Sequence, residues 1–171
     1  MDSLRHSGRR KSGPLYLHEQ SEWYPDLDDI EKKISDRTKA IVIINPNNPT
    51  GALYPEEILQ KIVDIARRHQ LIIFSDEIYD RLVMDGEKHI SIASLAPDLF
   101  CVTFSGLSKS HMIAGYRIGW MTLKRQQKHV KDYIEGIQYA IQYASVLQCT
   151  GSVYCTGRIG IPDHLPILFC F

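Results

Sequence analysis

Apolar residues along this chain fall into two alternating rhythms. Unbroken runs rich in β-branched residues, AIVII at 40–44, LIIF at 71–74 and FCVTF at 100–104, alternate with stretches where apolar residues recur every three or four positions. A short unbroken run reads as a strand covered on both faces. The recurring stretches read as helices. LDDIEKKIS at 27–35 sets Leu27, Ile30 and Ile34 on one face. PEEILQKIVDIARRHQ at 55–70 does the same with Ile58, Leu59, Ile62, Ile65 and Ala66. Pro55 suits a first helical turn, and Glu56 and Glu57 suit the positive end of a helix. YRIGWMTL at 116–123 predicts a further strand. Val130, Ile134, Ile137, Ile141 and Ala144 predict a long helix over about 125–147. The alternation predicts an α/β domain, with a mostly parallel sheet and flanking helices.

Composition narrows the function classes. The 171 residues suit one domain. Twenty basic and twenty acidic residues balance, which argues against a general nucleic-acid or membrane-surface binder. No run of about 18 apolar residues is present, so no membrane span is expected. The basic start, MDSLRHSGRRKSGP, lacks the apolar core of a secretory signal and the amphipathic apolar face of a transit peptide. The cytoplasm is the expected compartment. Four cysteines form no CxxC pair and seven histidines are scattered, so neither a disulfide framework nor a metal site is expected. Residues 1–20 read as irregular, 21–148 as the patterned body, and 149–171 as a tail that breaks the pattern.

Polar residues cluster at three strand ends. AIVII is followed by NPNNPTG (45–51), LIIF by SDEIYD (75–80) and FCVTF by SGLSK (105–109), with Arg117 eight positions beyond Lys109. In open parallel sheets, ligands bind just outside the carboxyl ends of strands. Each cluster also has a plain reading. NPNNPTG is rich in turn formers. Asp76 could begin a turn or cap a short helix. Lys109 alone would be ordinary surface, and Arg117 could simply pair with a carboxylate. One ligand chemistry uses them all: pyridoxal phosphate. Its aldehyde takes an amine, its pyridine nitrogen a carboxylate, its phenolic oxygen neutral donors, and its phosphate an arginine fork with small hydroxyls.

NPNNPTG, SDEIY and SGLSK followed by R-x-G-W resemble the fold-type I pyridoxal-phosphate aminotransferases of the aspartate aminotransferase superfamily. Residues 22–147 are most similar to bacterial glutamate–pyruvate (alanine) aminotransferases. The resemblance implies that Lys109 holds the cofactor as a Schiff base and then moves the substrate's α-proton. It implies that Asp76 partners the ring nitrogen and that Tyr79 and Asn48 bond the phenolic oxygen, Asn48 also lying near the substrate carboxylate. Arg117 matches the phosphate-binding arginine, with Ser108 a second phosphate candidate. Many relatives have serine three positions before the lysine, where this chain has Gly106. The implied partners are amino-acid and 2-oxo-acid substrates, and full-length relatives are expected to be homodimers.

The resemblance covers a central slice of such an enzyme, part of its large domain. No stacking aromatic, phosphate loop or cross-dimer residue is recognisable at the start, and no substrate-clamping arginine at the end. The expectation is therefore a fragment. Three readings follow: an aminotransferase exchanging an amino group between L-alanine and 2-oxoglutarate, a remnant of one that cannot turn over, or a plain α/β binding domain. No GxGxxG or GxxxxGK[ST] follows any strand, which counts against the last.

Overall fold

The computed structural model describes residues 13–124, 132–133, 135–136 and 164–170. The chain divides into two compact units, residues 1–38 and 39–171.

In the first unit, β1 (Leu17–His18) pairs antiparallel with β2 (Tyr24–Pro25). Helix α1 (Leu27–Lys33) follows, as the 27–35 pattern predicts. Asp26 starts it: its carboxylate accepts from the Asp29 backbone N–H at 2.9 Å and lies 2.9 Å from His18 Nε2. These bonds hold the Asp26 carboxyl below its ordinary range, the backbone bond contributing most. Ile30 is the buried member of its apolar stripe.

In the second unit, β3 (Ala40–Ile44), β4 (Ile72–Asp76) and β5 (Cys101–Gly106) form adjacent parallel strands. Helix α2 (Glu56–Arg68) makes the crossover from β3 to β4, and one-turn α3 (Ile92–Leu95) lies between β4 and β5. Helix α4 (Leu107–Ser110) continues directly from β5. Strand β6 (Ile118–Lys124) then returns antiparallel to β5, and β7 (His164–Cys170) runs antiparallel to β6. The sheet order is β3-β4-β5-β6-β7, so the sheet is mixed, with its parallel part at β3–β5. The long helix expected over 125–147 lies outside the described residues, except that residues 132, 133, 135 and 136 are helical.

The core joins the α2 stripe to alternate residues of the strands. Leu59, Ile62, Val63 and Ala66 are fully buried, as are Ile73 and Val102. Arg67 fastens the end of α2: its Nε and Nη2 donate to the Asp98 carboxylate at 2.6 and 2.8 Å, and Nη1 donates to Asp64 at 2.6 Å. Ser91 and the start of α3 at Ile92 are reached through a different anchor, the Glu77 carboxylate, described below.

Candidate functional site

The parallel register sets the three clusters side by side. Ile44, the last residue of β3, pairs with Asp76, the last of β4, and Asp76 pairs with Phe104 in β5. Backbone bonds carry the alignment past the strand ends, from Asn45 N to Asp76 O at 3.0 Å and from Glu77 N to Phe104 O at 2.8 Å.

Within NPNNPTG, turn and site are divided among the asparagines. Asn45, 3% exposed, accepts from the Tyr54 backbone N–H at 2.8 Å. Asn47 accepts from the Thr50 hydroxyl at 2.8 Å, and its amide donates to the Tyr54 hydroxyl at 3.3 Å. Burial raises the Tyr54 phenol pKa, and the Asn47 bond partly offsets that. Gly51 closes the turn at φ 76°, in the left-handed region that favours glycine. Asn48 is left exposed, and its Nδ2 donates to the Tyr79 hydroxyl at 3.4 Å. The turn reading of this cluster is therefore correct for Asn45, Asn47, Thr50 and Gly51, and Asn48 is the member that faces another strand end.

Asp76 is half-buried at the end of β4. One carboxylate oxygen accepts from the Ile78 backbone N–H at 3.1 Å, so it does begin the turn that follows. Tyr79 sits in that turn and is the hub of the arrangement. Besides bonding Asn48, its ring lies 5.6 Å from Lys109 Nζ, within cation–π range. Lys109 is exposed on α4, one turn beyond the end of β5.

Ser108 and Arg117 meet elsewhere on the same edge. Together with Ser105, Gly106, Ile78 and Ile118 they line a shallow cavity of about 170 Å³. Arg117 precedes β6 instead of belonging to it. It has φ 55°, in the left-handed region, and its backbone N–H bonds Ala114 O at 3.3 Å. A non-glycine residue held there is strained, and such strain is concentrated at functional sites. Its guanidinium is exposed and donates only weakly to Ala114 O, at 3.4 Å, among the described bonds.

The motif reading passed over one wall position, Ser105. Ser105 carries a buried hydroxyl with no hydrogen-bond partner among the described residues. Its signal was its place four residues before Lys109, at the end of a strand. Gly106 shows why serine is missing three residues before the lysine. A Cβ there would lie 2.8 Å from the Ile118 carbonyl oxygen and 3.2 Å from Gly119 Cα, both backbone atoms of β6.

Three parallel strands bearing these clusters at neighbouring ends define a class of protein. The chain belongs to the class I and II aminotransferases, whose family profile matches residues 4–152. The match thus begins nearer the N-terminus than the patterned body at 21–148. Among individual proteins, the chain is 61% identical over 120 residues to the glutamate-pyruvate aminotransferase AlaA of Escherichia coli, covering 70% of this chain and 30% of AlaA. It is 54% identical over 123 residues to alanine aminotransferase of Mycobacterium bovis, covering 71% of this chain and 29% of that one. Its fold matches the crystal structure of an aminotransferase from Escherichia coli with a TM-score of 0.75 and 55% identity, over 82% of this chain and 34% of that one. Alanine aminotransferase from Pyrococcus furiosus matches with a TM-score of 0.74 and 40% identity, over 82% and 35% of the two chains. The chain spans about 30% of the length of the curated relatives it matches.

Proposed function

We propose that this chain supplies the cofactor-holding part of an aminotransferase that moves an amino group between L-alanine, or a similar amino acid, and 2-oxoglutarate, with pyridoxal phosphate as cofactor. The observation that carries the proposal is Tyr79: one phenol touches Asn48 from the β3 end and faces Lys109 from the β5 end.

The residues fit the cofactor on their own chemistry. Arg117, Ser108 and Ser105 are among the residues that line the cavity, and an arginine with small hydroxyl residues suits a phosphate. The buried Ser105 hydroxyl lacks a partner among the described residues, which suits a group that accepts a hydrogen bond. When bound, the cofactor supplies an electron-withdrawing ring that lets the substrate's Cα–H bond break. Lys109 would hold it through its amine, and the same amine would serve as the base that carries the α-proton. Asp76 keeps the ring nitrogen protonated by placing a negative charge beside it. Asn48 donates to the Tyr79 oxygen, so the Tyr79 proton is free to be donated to the phenolic oxygen. Asn48 would also lie near the substrate carboxylate.

Names of the relatives, glutamate-pyruvate aminotransferase and alanine aminotransferase, support the substrate assignment. No described helix is long and apolar enough to cross a membrane, and the proposed compartment is the cytoplasm. A homodimer is the proposed assembly of the full-length enzyme.

Incubation with pyridoxal phosphate and borohydride tests the reading. The wild type is expected to gain a covalent adduct by mass spectrometry, and Lys109→Ala to gain none at that position. Folded wild type without the adduct would overturn the proposal. The span of about 30% of the relatives' length favours a second reading, in which these residues alone hold the cofactor without turnover. A coupled alanine/2-oxoglutarate assay separates the two.

A further inference from the structure

The dipeptide Asp76–Glu77 splits its two carboxylates. Asp76 lies half-buried at the site, whereas Glu77 is 5% exposed. Alternation along an extended chain sends consecutive side chains to opposite faces. Glu77 accordingly shares its side with Ser75, whose hydroxyl donates to Glu77 Oε1 at 2.9 Å. The same oxygen accepts from the Ser91 hydroxyl at 3.0 Å and the Ile92 backbone N–H at 3.3 Å. Its other oxygen lies 3.7 Å from His89 Nε2, on a side chain that is 10% exposed. A buried carboxylate is costly unless hydrogen-bonded, and this one is bonded from two separated segments, 75 and 91–92. The carbonyl of Glu77 also accepts from Asp80 N at 3.0 Å, closing the turn that contains Tyr79.

We infer that Glu77 is a positioning residue for the site: by tying the end of β4 to the segment at Ser91–Ile92, it fixes the turn that aims Asp76 and Tyr79. Glu77 touches neither Lys109 nor the cavity among the described contacts. It acts through the backbone of residues 76–80. Burial pushes its carboxyl pKa up, while the Ser75 bond and the nearby His89 oppose that. The inference rests on the proposed cofactor role of Tyr79, and its test separates the two.

The experiment compares wild type with Glu77→Gln, Glu77→Ala, Ser91→Ala and Tyr79→Phe. In the apo protein, amide exchange at residues 76–80 and at Ile92 is read by mass spectrometry. Glu77→Ala is expected to speed it about tenfold or more, the scale of one buried hydrogen bond lost. Glu77→Gln keeps an oxygen that accepts the same bonds and stays close to wild type. Ser91→Ala gives a smaller change in the same direction and decides the matter if Glu77→Ala does not fold. In the protein loaded with pyridoxal phosphate, the pH midpoint of the lysine adduct's absorbance is the second reading. Tyr79→Phe removes a donor to the deprotonated form and raises the midpoint, and Glu77→Ala is expected to follow it upward while Glu77→Gln does not. Folded Glu77→Ala with unchanged exchange and unchanged midpoint would overturn the inference. If the wild type forms no adduct, the cofactor reading falls, and apo exchange alone then decides whether Glu77 holds the turn.

Discussion

The two faces of the parallel strands differ sharply in this chain. On one face, Ile41, Ile43, Ile73, Ser75 and Cys101 are at most 5% exposed. On the other, Val102 and Leu123 are fully buried, yet Val42 is 52% exposed and Phe104 36%. Phe74 stacks with Phe104 on that second face, their centroids 6.2 Å apart. Both faces are apolar in sequence, as strands covered on both sides require. The first face is buried apart from half-buried Thr103, whereas the second is buried only in part. Asp76 belongs to the unevenly covered face and Glu77 to the closed one, so the chemistry and its anchor are separated by the thickness of a strand. An open apolar patch of this kind promotes association.

The comparison can be broken by mutation. Leu59→Ala, at the closed face's helix, is expected to cost about 2–5 kcal/mol in urea unfolding, because a cavity opens in a fully buried place. A smaller loss, about 1–3 kcal/mol, is expected for Gly106→Ala, since the new methyl meets β6 backbone that cannot swing aside. Glu77 sharpens the contrast through pH. Its folded carboxyl titrates above the ordinary 4.5 because it is buried. The folded chain therefore holds a proton that the unfolded chain has released between those two values. Stability falls as pH rises through that window and levels off above it. Glu77→Gln should flatten this slope in a series of unfolding curves. Val42→Ala, on the open face, is expected to stay within about 0.5 kcal/mol of wild type. A loss matching that of Leu59→Ala would show that the second face is closed after all.

The sequence made the parallel strands and both longer described helices legible because their apolar spacing is regular. The end of α2 at Arg68, before His69, differs from the expected 70 by the usual fraying of a helix end. Strand β7 was hidden by Pro166 and by Gly and Pro upstream, which read as punctuation. Arg117 was taken to open a strand, but a left-handed turn holds it and β6 starts at Ile118. Side-chain type betrayed Asn48, Asp76, Tyr79, Ser108, Lys109 and Arg117 as candidates, since few ligands need that mixture. Glu77 and Ser105 escaped because their importance lies in burial and in partners far along the chain, which no local pattern records.

Gly106 leaves the chain no latitude. Where β5 and β6 touch backbone to backbone, only a hydrogen atom fits as the side group. A hydroxyl-bearing side chain is excluded at that point, and the cavity's serines stand instead at 105 and 108. The narrowness of one crossing thus dictates how the rim around it is furnished.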